Sequence, residues 1–204
     1  MAREKSPKAQ QMRARIAAAA ARMMAEDGID DFALAKRKAA RMLGAGDTHS
    51  LPGNDEIETE LRRYQSLYQG DEQRERLLDL RRAALAIMRD LHAFRPYLAG
   101  SVLSGTAGRY AEIDVQLFTD DVKGVELFFV NRDLPYETRE HRYYCGDEPR
   151  AAPVLKSQWQ GVAVSIAVFA AKDERSVLKS SLNGRTLERA NEQAVACLLE
   201  DKAA

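Results

Sequence analysis

Residues 97–118 constrain this 204-residue chain more than any other stretch. An apolar lead-in, Tyr97-Leu98-Ala99, runs into Gly100-Ser101, and small residues recur through Ser104-Gly105-Thr106-Ala107. Glycine lacks a Cβ, so the backbone at such positions turns tightly and approaches a ligand closely. Beyond it, Glu112-Ile113-Asp114-Val115-Gln116-Leu117-Phe118 alternates polar with apolar, the period of a half-buried strand. The stretch predicts a turn, a helix beginning near Ser101, and then a strand from one side of which Glu112 and Asp114 both project.

Two carboxylates at i and i+2 on a strand can share a divalent cation whose shell is completed by water and substrate phosphates. Gly100, Ser101 and Gly105 are candidate phosphate-binding positions, aided by the positive end of the helix, and Arg109 is a candidate phosphate or acceptor contact. Taken singly, each glycine reads as an ordinary turn residue and each acid as the wet side of a strand. Their joint spacing is what points to metal-assisted phosphate chemistry.

The same residues resemble the signature of the nucleotidyltransferase fold of the DNA polymerase beta type, particularly its minimal members. That signature is a hydrophobic residue, Gly-Ser, an interior glycine, then acid-hydrophobic-acid-hydrophobic. Gly100 and Ser101 fall on the Gly-Ser pair, Gly105 on the interior glycine, and Glu112 and Asp114 on the metal-binding acids. The likeness is close over 97–118 and looser toward the C-terminus. It implies an α+β chain, a nucleotidyltransferase-like mixed sheet with flanking helices preceded by an all-helical N-terminal region. It also implies that Gly100 and Ser101 grip a nucleoside triphosphate while Glu112 and Asp114, as catalytic residues, hold magnesium or manganese. An acceptor of unknown identity, whether protein, RNA or small molecule, would then attack the alpha phosphate and receive the nucleoside monophosphate.

The sequence departs from that pattern at three places. The first acid is Glu112 where Asp is common, and the residue before it is Ala111 rather than Ser. The third carboxylate, which the family carries on a later strand beside the first pair, has no counterpart in Gly161–Phe169, whose residue at the polar position is Ser165. A hydroxyl is a poor anionic ligand and a poor base. Glu137 is the other candidate for that charge. A second expectation therefore accompanies the first: a nucleotidyltransferase-like module that binds nucleotide, RNA or protein without turnover.

Composition narrows the alternatives. Apolar residues make up 45% and charged residues 30%, with 31 basic against 31 acidic side chains, so there is a core to build and no global field drawing the chain to nucleic acid or acidic membranes. The apolar run Ile16–Ala21 is too short for a bilayer, and no secretory signal pattern is present; a cytoplasmic protein without membrane contact is expected. Cys145 and Cys197, with His49, His92 and His141, are too scattered for a zinc site or disulfide framework, and His141 reads as a solvated strand residue.

Ser6-Pro7 reads as a helix start, followed by an alanine-rich helix to Asp27 that ends at Gly28. Asp30 or Asp31 would cap a second helix through Met42, closed by Gly44. Lys36-Arg37-Lys38 and Arg41 on that helix invite comparison with helix-turn-helix DNA readers acting through residues 1–44, although a basic amphipathic helix packed on its neighbours accounts for them better and DNA is not an expected partner. Residues 45–54 form a loop, and Asp55–Gln69 and Asp71–Phe94 two further helices. The second of these, apolar through Leu77, Leu80, Ala84, Leu85, Ile87, Met88 and Leu91, would dock a helical region, 1–94, onto an α/β core, 95–204. In the core, a helix capped by Asp120 or Asp121 should turn Val122, Val125, Leu127, Phe128 and Val130 to the sheet. Strands are expected over Arg139–Tyr144, Gly146–Glu148, Val154–Trp159 and Val162–Phe169, then a turn at Asn183-Gly184 and a closing helix over Leu187–Leu199.

Overall fold

The computed structural model describes residues 7–29, 31–46, 51–68, 70–180 and 186–200. Ser6, Asp30, His49 and the Asn183-Gly184 turn lie outside them. The chain divides into two compact units: one runs to Glu75 and includes Thr106–Ala111, and the other holds Arg76–Gly105 and the chain from Glu112 onward.

The elements of the first unit are helical: α1 (Pro7–Asp27), α2 (Phe32–Met42), α3 (Asn54–Tyr68) and the start of α4 (Gly70–Asp90). Pro7 opens α1, where its missing N–H leaves nothing unsatisfied. Ile16, Ala17, Ala20, Ala21, Met24 and Ala25 form the buried stripe of α1, and the four alanines of that stripe let α2 and α3 lie close, through Ala35, Ala39, Ile57 and Leu61. Asp31 is the cap of α2, its Oδ1 accepting from the amides of Ala33 at 2.7 Å and Leu34 at 3.2 Å. Gly28 and Gly44 follow the two helices with φ of +69° and +68°, as helix-ending glycines do. Residues 106–111 are tied to this unit by Gln65 Nε2, 3.2 Å from the Thr106 carbonyl, and by Gln73, which donates to the Ala107 carbonyl.

The second unit is built on a mixed sheet of strand order β6-β3-β4-β5-β2-β1-β7. Its strands are β1 (Pro96–Ala99), β2 (Ile113–Phe118), β3 (Tyr136–Cys145), β4 (Glu148–Trp159), β5 (Val162–Phe169), β6 (Leu178–Lys179) and β7 (Arg189–Ala190). All neighbours run antiparallel except β2 and β5, which are parallel. The α+β class and the mixed sheet with helices are thus as expected.

The alternation of β2 sorts its side chains as the sequence predicts. Ile113, Val115 and Leu117 are buried on one face with Leu155, Val164, Ile166 and Val168. The aromatic residues of α6 (Val122–Val130) close part of this face: Phe128 stacks on Trp159 with centroids 5.7 Å apart, and Phe129 meets Tyr136 at 5.6 Å. Asp114, Gln116 and Phe118 take the opposite face, where Phe118 joins Tyr143, Ala152, Phe169 and Leu178 in a second apolar cluster. Fully burying a side chain such as Phe118 is worth about 1.5–3 kcal/mol.

Three expectations are corrected here. Gly146 and Asp147 form the turn of one long β3–β4 hairpin, not a strand of their own, with Gly146 at φ +63°. Pro149 and Pro153 are tolerated in β4 because β5 pairs only with Val154–Trp159, leaving the proline segment with one neighbour. The buried line of α6 runs through Val125 and Phe129, four apart, so Leu127 and Val130 are exposed. The closing helix, α7 (Glu192–Glu200), starts late because Asn191 caps it, Oδ1 accepting from the Ala194 amide at 2.9 Å, and Arg189–Ala190 pairs with β1.

Candidate functional site

The site residues of the second unit gather where β1 turns into the five-residue helix α5 (Gly100–Ser104) beside β2. Gly100 has φ +66°, and a Cβ placed on it would overlap Oδ2 of Asp114 and stand 2.9 Å from its Cγ. The absent side chain of Gly100 is the space that the Asp114 carboxylate fills. Gly105 ends α5 at φ +83°, its N–H donating to the Ser101 carbonyl at 3.0 Å. Five residues align too few peptide dipoles to give α5 a substantial positive end, which removes the helix contribution expected at Ser101.

Arg81 holds this turn in place, and no sequence motif marked it. Arg81, 4% exposed as a residue, donates from Nε to the Val102 carbonyl at 3.1 Å and from Nη2 to the Leu103 carbonyl at 3.0 Å, satisfying the C-terminal carbonyls of α5. Burial pulls it below its ordinary pKa.

Strand register then lines polar residues across one face. Asp114 is paired with Ala99 on β1 and Ser165 on β5; Ser165 is paired with Lys156 on β4, and Lys156 with Glu137 on β3. Directly paired residues share a face, so Asp114, Ser165, Lys156 and Glu137 form one row. Glu112, just ahead of β2, reaches the same face: both its oxygens accept from Lys156 Nζ, at 2.8 and 3.0 Å. Glu112 and Asp114 therefore do share a face, and Ser165 does neighbour Asp114. Glu137 stands three strand spacings from Asp114, about 14 Å, and is exposed beside Arg139 at 3.3 Å, so it does not join the pair.

Gln116, two residues along the same face, is 6% exposed, and its Oε1 has no hydrogen-bond partner among the described residues. Arg189, at the end of the row beside Ala99, lays its guanidinium 4.7 Å from the Phe118 ring and 5.4 Å from Tyr97. Gln116 follows from the alternation of β2, but Lys156 was legible only as a polar strand residue and Arg189 only as part of the expected closing helix; strand pairing brings these two into the row.

The donor set bears on a metal. Among the described residues no three His, Cys, Asp or Glu side chains gather to hold one. Magnesium commonly uses one or two carboxylates together with phosphates and water. Glu112 and Asp114 are the candidates to hold one such ion, and Lys156 engages both oxygens of Glu112.

Arg109 belongs to the first unit, where its guanidinium lies 5.9 Å from the ring of Tyr110. In the basic helix α2, Lys36 donates to the Pro52 carbonyl at 3.0 Å and to Asn54 Oδ1 at 2.8 Å, and Arg37 donates back to the Ala33 carbonyl at 3.1 Å. Burial holds Lys36 below its ordinary pKa. Two of the four basic residues noted on α2 thus have partners within the unit. Cys145 is half-buried with Sγ 3.8 Å from Asp173 Oδ1, Cys197 is exposed, and His141 lies exposed on β3. No helix among the described residues is long and apolar enough to cross a membrane. Compared with known proteins, the chain matches no family model, no curated protein and no solved structure.

Proposed function

We propose that the chain binds a nucleoside triphosphate on the face bearing Asp114 and transfers its nucleoside monophosphate to an acceptor with the aid of a divalent cation. The observation that carries this reading is the fit of Asp114 onto Gly100 at the β1–α5–β2 junction, with Glu112 on the same face and Ser165 on the neighbouring parallel strand. Glycine with a left-handed backbone lets a carboxylate and a turn share one small volume. Ser101 and the amides around Gly100 would position phosphate oxygens, while the Gly105 amide, engaged with the Ser101 carbonyl, closes the turn that Arg81 would keep from shifting. Glu112 and Asp114 would hold magnesium, which when bound supplies Lewis-acid stabilisation of charge on the transferring phosphoryl group.

A second reading, binding without turnover, is favoured by one specific observation. Ser165 beside Asp114 supplies no anionic base, and Lys156 already neutralises Glu112. On that reading the same face recognises a nucleotide, an RNA or a protein.

The deciding experiment incubates the protein with alpha-labelled nucleoside triphosphates and magnesium or manganese, with and without cell extract, beside Asp114→Ala and Glu112→Ala. Label transfer abolished in both variants supports transfer. Nucleotide binding without transfer supports the second reading. Absence of both binding and transfer in the wild type refutes transfer and nucleotide recognition, and leaves only an RNA or a protein as the ligand of that face.

A further inference from the structure

The Lys156–Glu112 pair lies within the proposed metal site, with the lysine one strand beyond Ser165 in the row that begins at Asp114. A carboxylate whose two oxygens both accept from one ammonium is a weaker cation ligand than an unengaged one. A divalent cation on Glu112 competes with Lys156 for the same two oxygens and is repelled by its ammonium. The lysine is well made for displacement: it is half-exposed, its stem is flexible, and its head has three donors and no acceptor. Once released beside Asp114 and Ser165, its ammonium is free to bind another anion, and Glu137, its neighbour on β3, is already engaged with Arg139. Phosphate oxygens of a bound nucleotide would supply that anion.

We infer that Lys156 is an exchangeable cation of the nucleotide site, neutralising Glu112 when the metal is absent and binding phosphate when the metal holds Glu112. This deepens the nucleotide reading and rests on it. The ammonium obstructs metal bound alone and assists nucleotide bound with metal, so one substitution moves the two affinities in opposite directions.

The test measures Mn²⁺ alone and Mg²⁺–ATP, each by equilibrium titration against the full chain, in wild type, Lys156→Met and Lys156→Arg, with thermal melting to verify folding. Lys156→Met is expected to bind Mn²⁺ roughly tenfold more tightly and Mg²⁺–ATP roughly tenfold more weakly, within the usual range for coupled sites. Lys156→Arg retains the charge and should stay near wild type in both. If wild type binds ATP and Lys156→Met leaves both affinities unchanged, or weakens both, Lys156 is a structural brace and the inference fails alone. If wild type binds no ATP, the nucleotide reading falls and takes the inference with it.

Discussion

Asp114 is packed against Gly100 so closely that a single methyl group on the glycine would occupy the position of its carboxylate oxygen. Gly146 has nearly the same backbone, φ +63° against +66°, with nothing within 4 Å of where its Cβ would stand. Gly146→Ala should therefore cost only the left-handed backbone, about 1–2 kcal/mol. Gly100→Ala should cost about 3 kcal/mol or more because the clash is added, and it should weaken Mg²⁺–ATP binding. Urea denaturation of the two variants checks this; equal losses would show that Asp114 yields without resistance.

Arg81 is a support for the turn, so its removal should be felt there first. Arg81→Met leaves the Val102 and Leu103 carbonyls without its bonds and should destabilise the unit by about 1–3 kcal/mol. Hydrogen exchange should quicken at the Gly105 amide, which bonds the Ser101 carbonyl, before it quickens in β5. Uniform acceleration across the sheet would instead mark Arg81 as a general core residue.

Gln116 carries a buried acceptor with no hydrogen-bond partner among the described residues. Replacing it with methionine keeps the approximate shape and removes the unmet polar group, so Gln116→Met should raise stability by about 1 kcal/mol. A loss of stability in chemical denaturation would mean that the amide is engaged in the native protein.

Ser165→Asp sets a third carboxylate between Asp114 and Lys156 in the same row. Mn²⁺ affinity should increase at least about tenfold, because even a well-screened acid near a dication contributes more than ~1.4 kcal/mol. Calorimetric titration reads the change; an unchanged affinity would show that Lys156 captures the new acid.

Stability at high pH should depend on Tyr143. Its hydroxyl donates to the buried Asp173 at 3.0 Å, and burial, followed by that hydrogen bond, pushes the phenol from 10.0 up to about 12. Between those values the unfolded chain has lost a proton that the native state keeps. The native state is thus favoured fully below pH 10, and the advantage drains away as pH rises toward 12, about 2–3 kcal/mol in all. Tyr143→Phe should lack this part of the decline. Urea midpoints from pH 8 to 11.5 provide the comparison.

Local chemistry made much of this chain readable. Pro7, Asp31, Gly28 and Gly44 bound the first two helices because caps and left-handed glycines act within a few residues. Alternation placed Ile113, Val115 and Leu117 on one side of β2 and Asp114 on the other because strand period needs no partner. Where several apolar residues competed for one buried line, as in α6, the sequence overcounted: Leu127 and Val130 are as hydrophobic as Val125, and only the position of Trp159 and Tyr136 decides which side is covered.

The sequence by itself determined the Gly-Ser turn, the two carboxylates two residues apart and the hydroxyl where a third acid was sought. Tertiary structure alone decided what meets them. Lys156 is 44 residues from Glu112, and it reaches that carboxylate because β4 pairs with β5 while β5 lies beside β2. Pairing register depends on the whole sheet, since a shift by one residue would turn Lys156 to the opposite face. The charge balance around Glu112 and Asp114 is therefore a property of the assembled sheet.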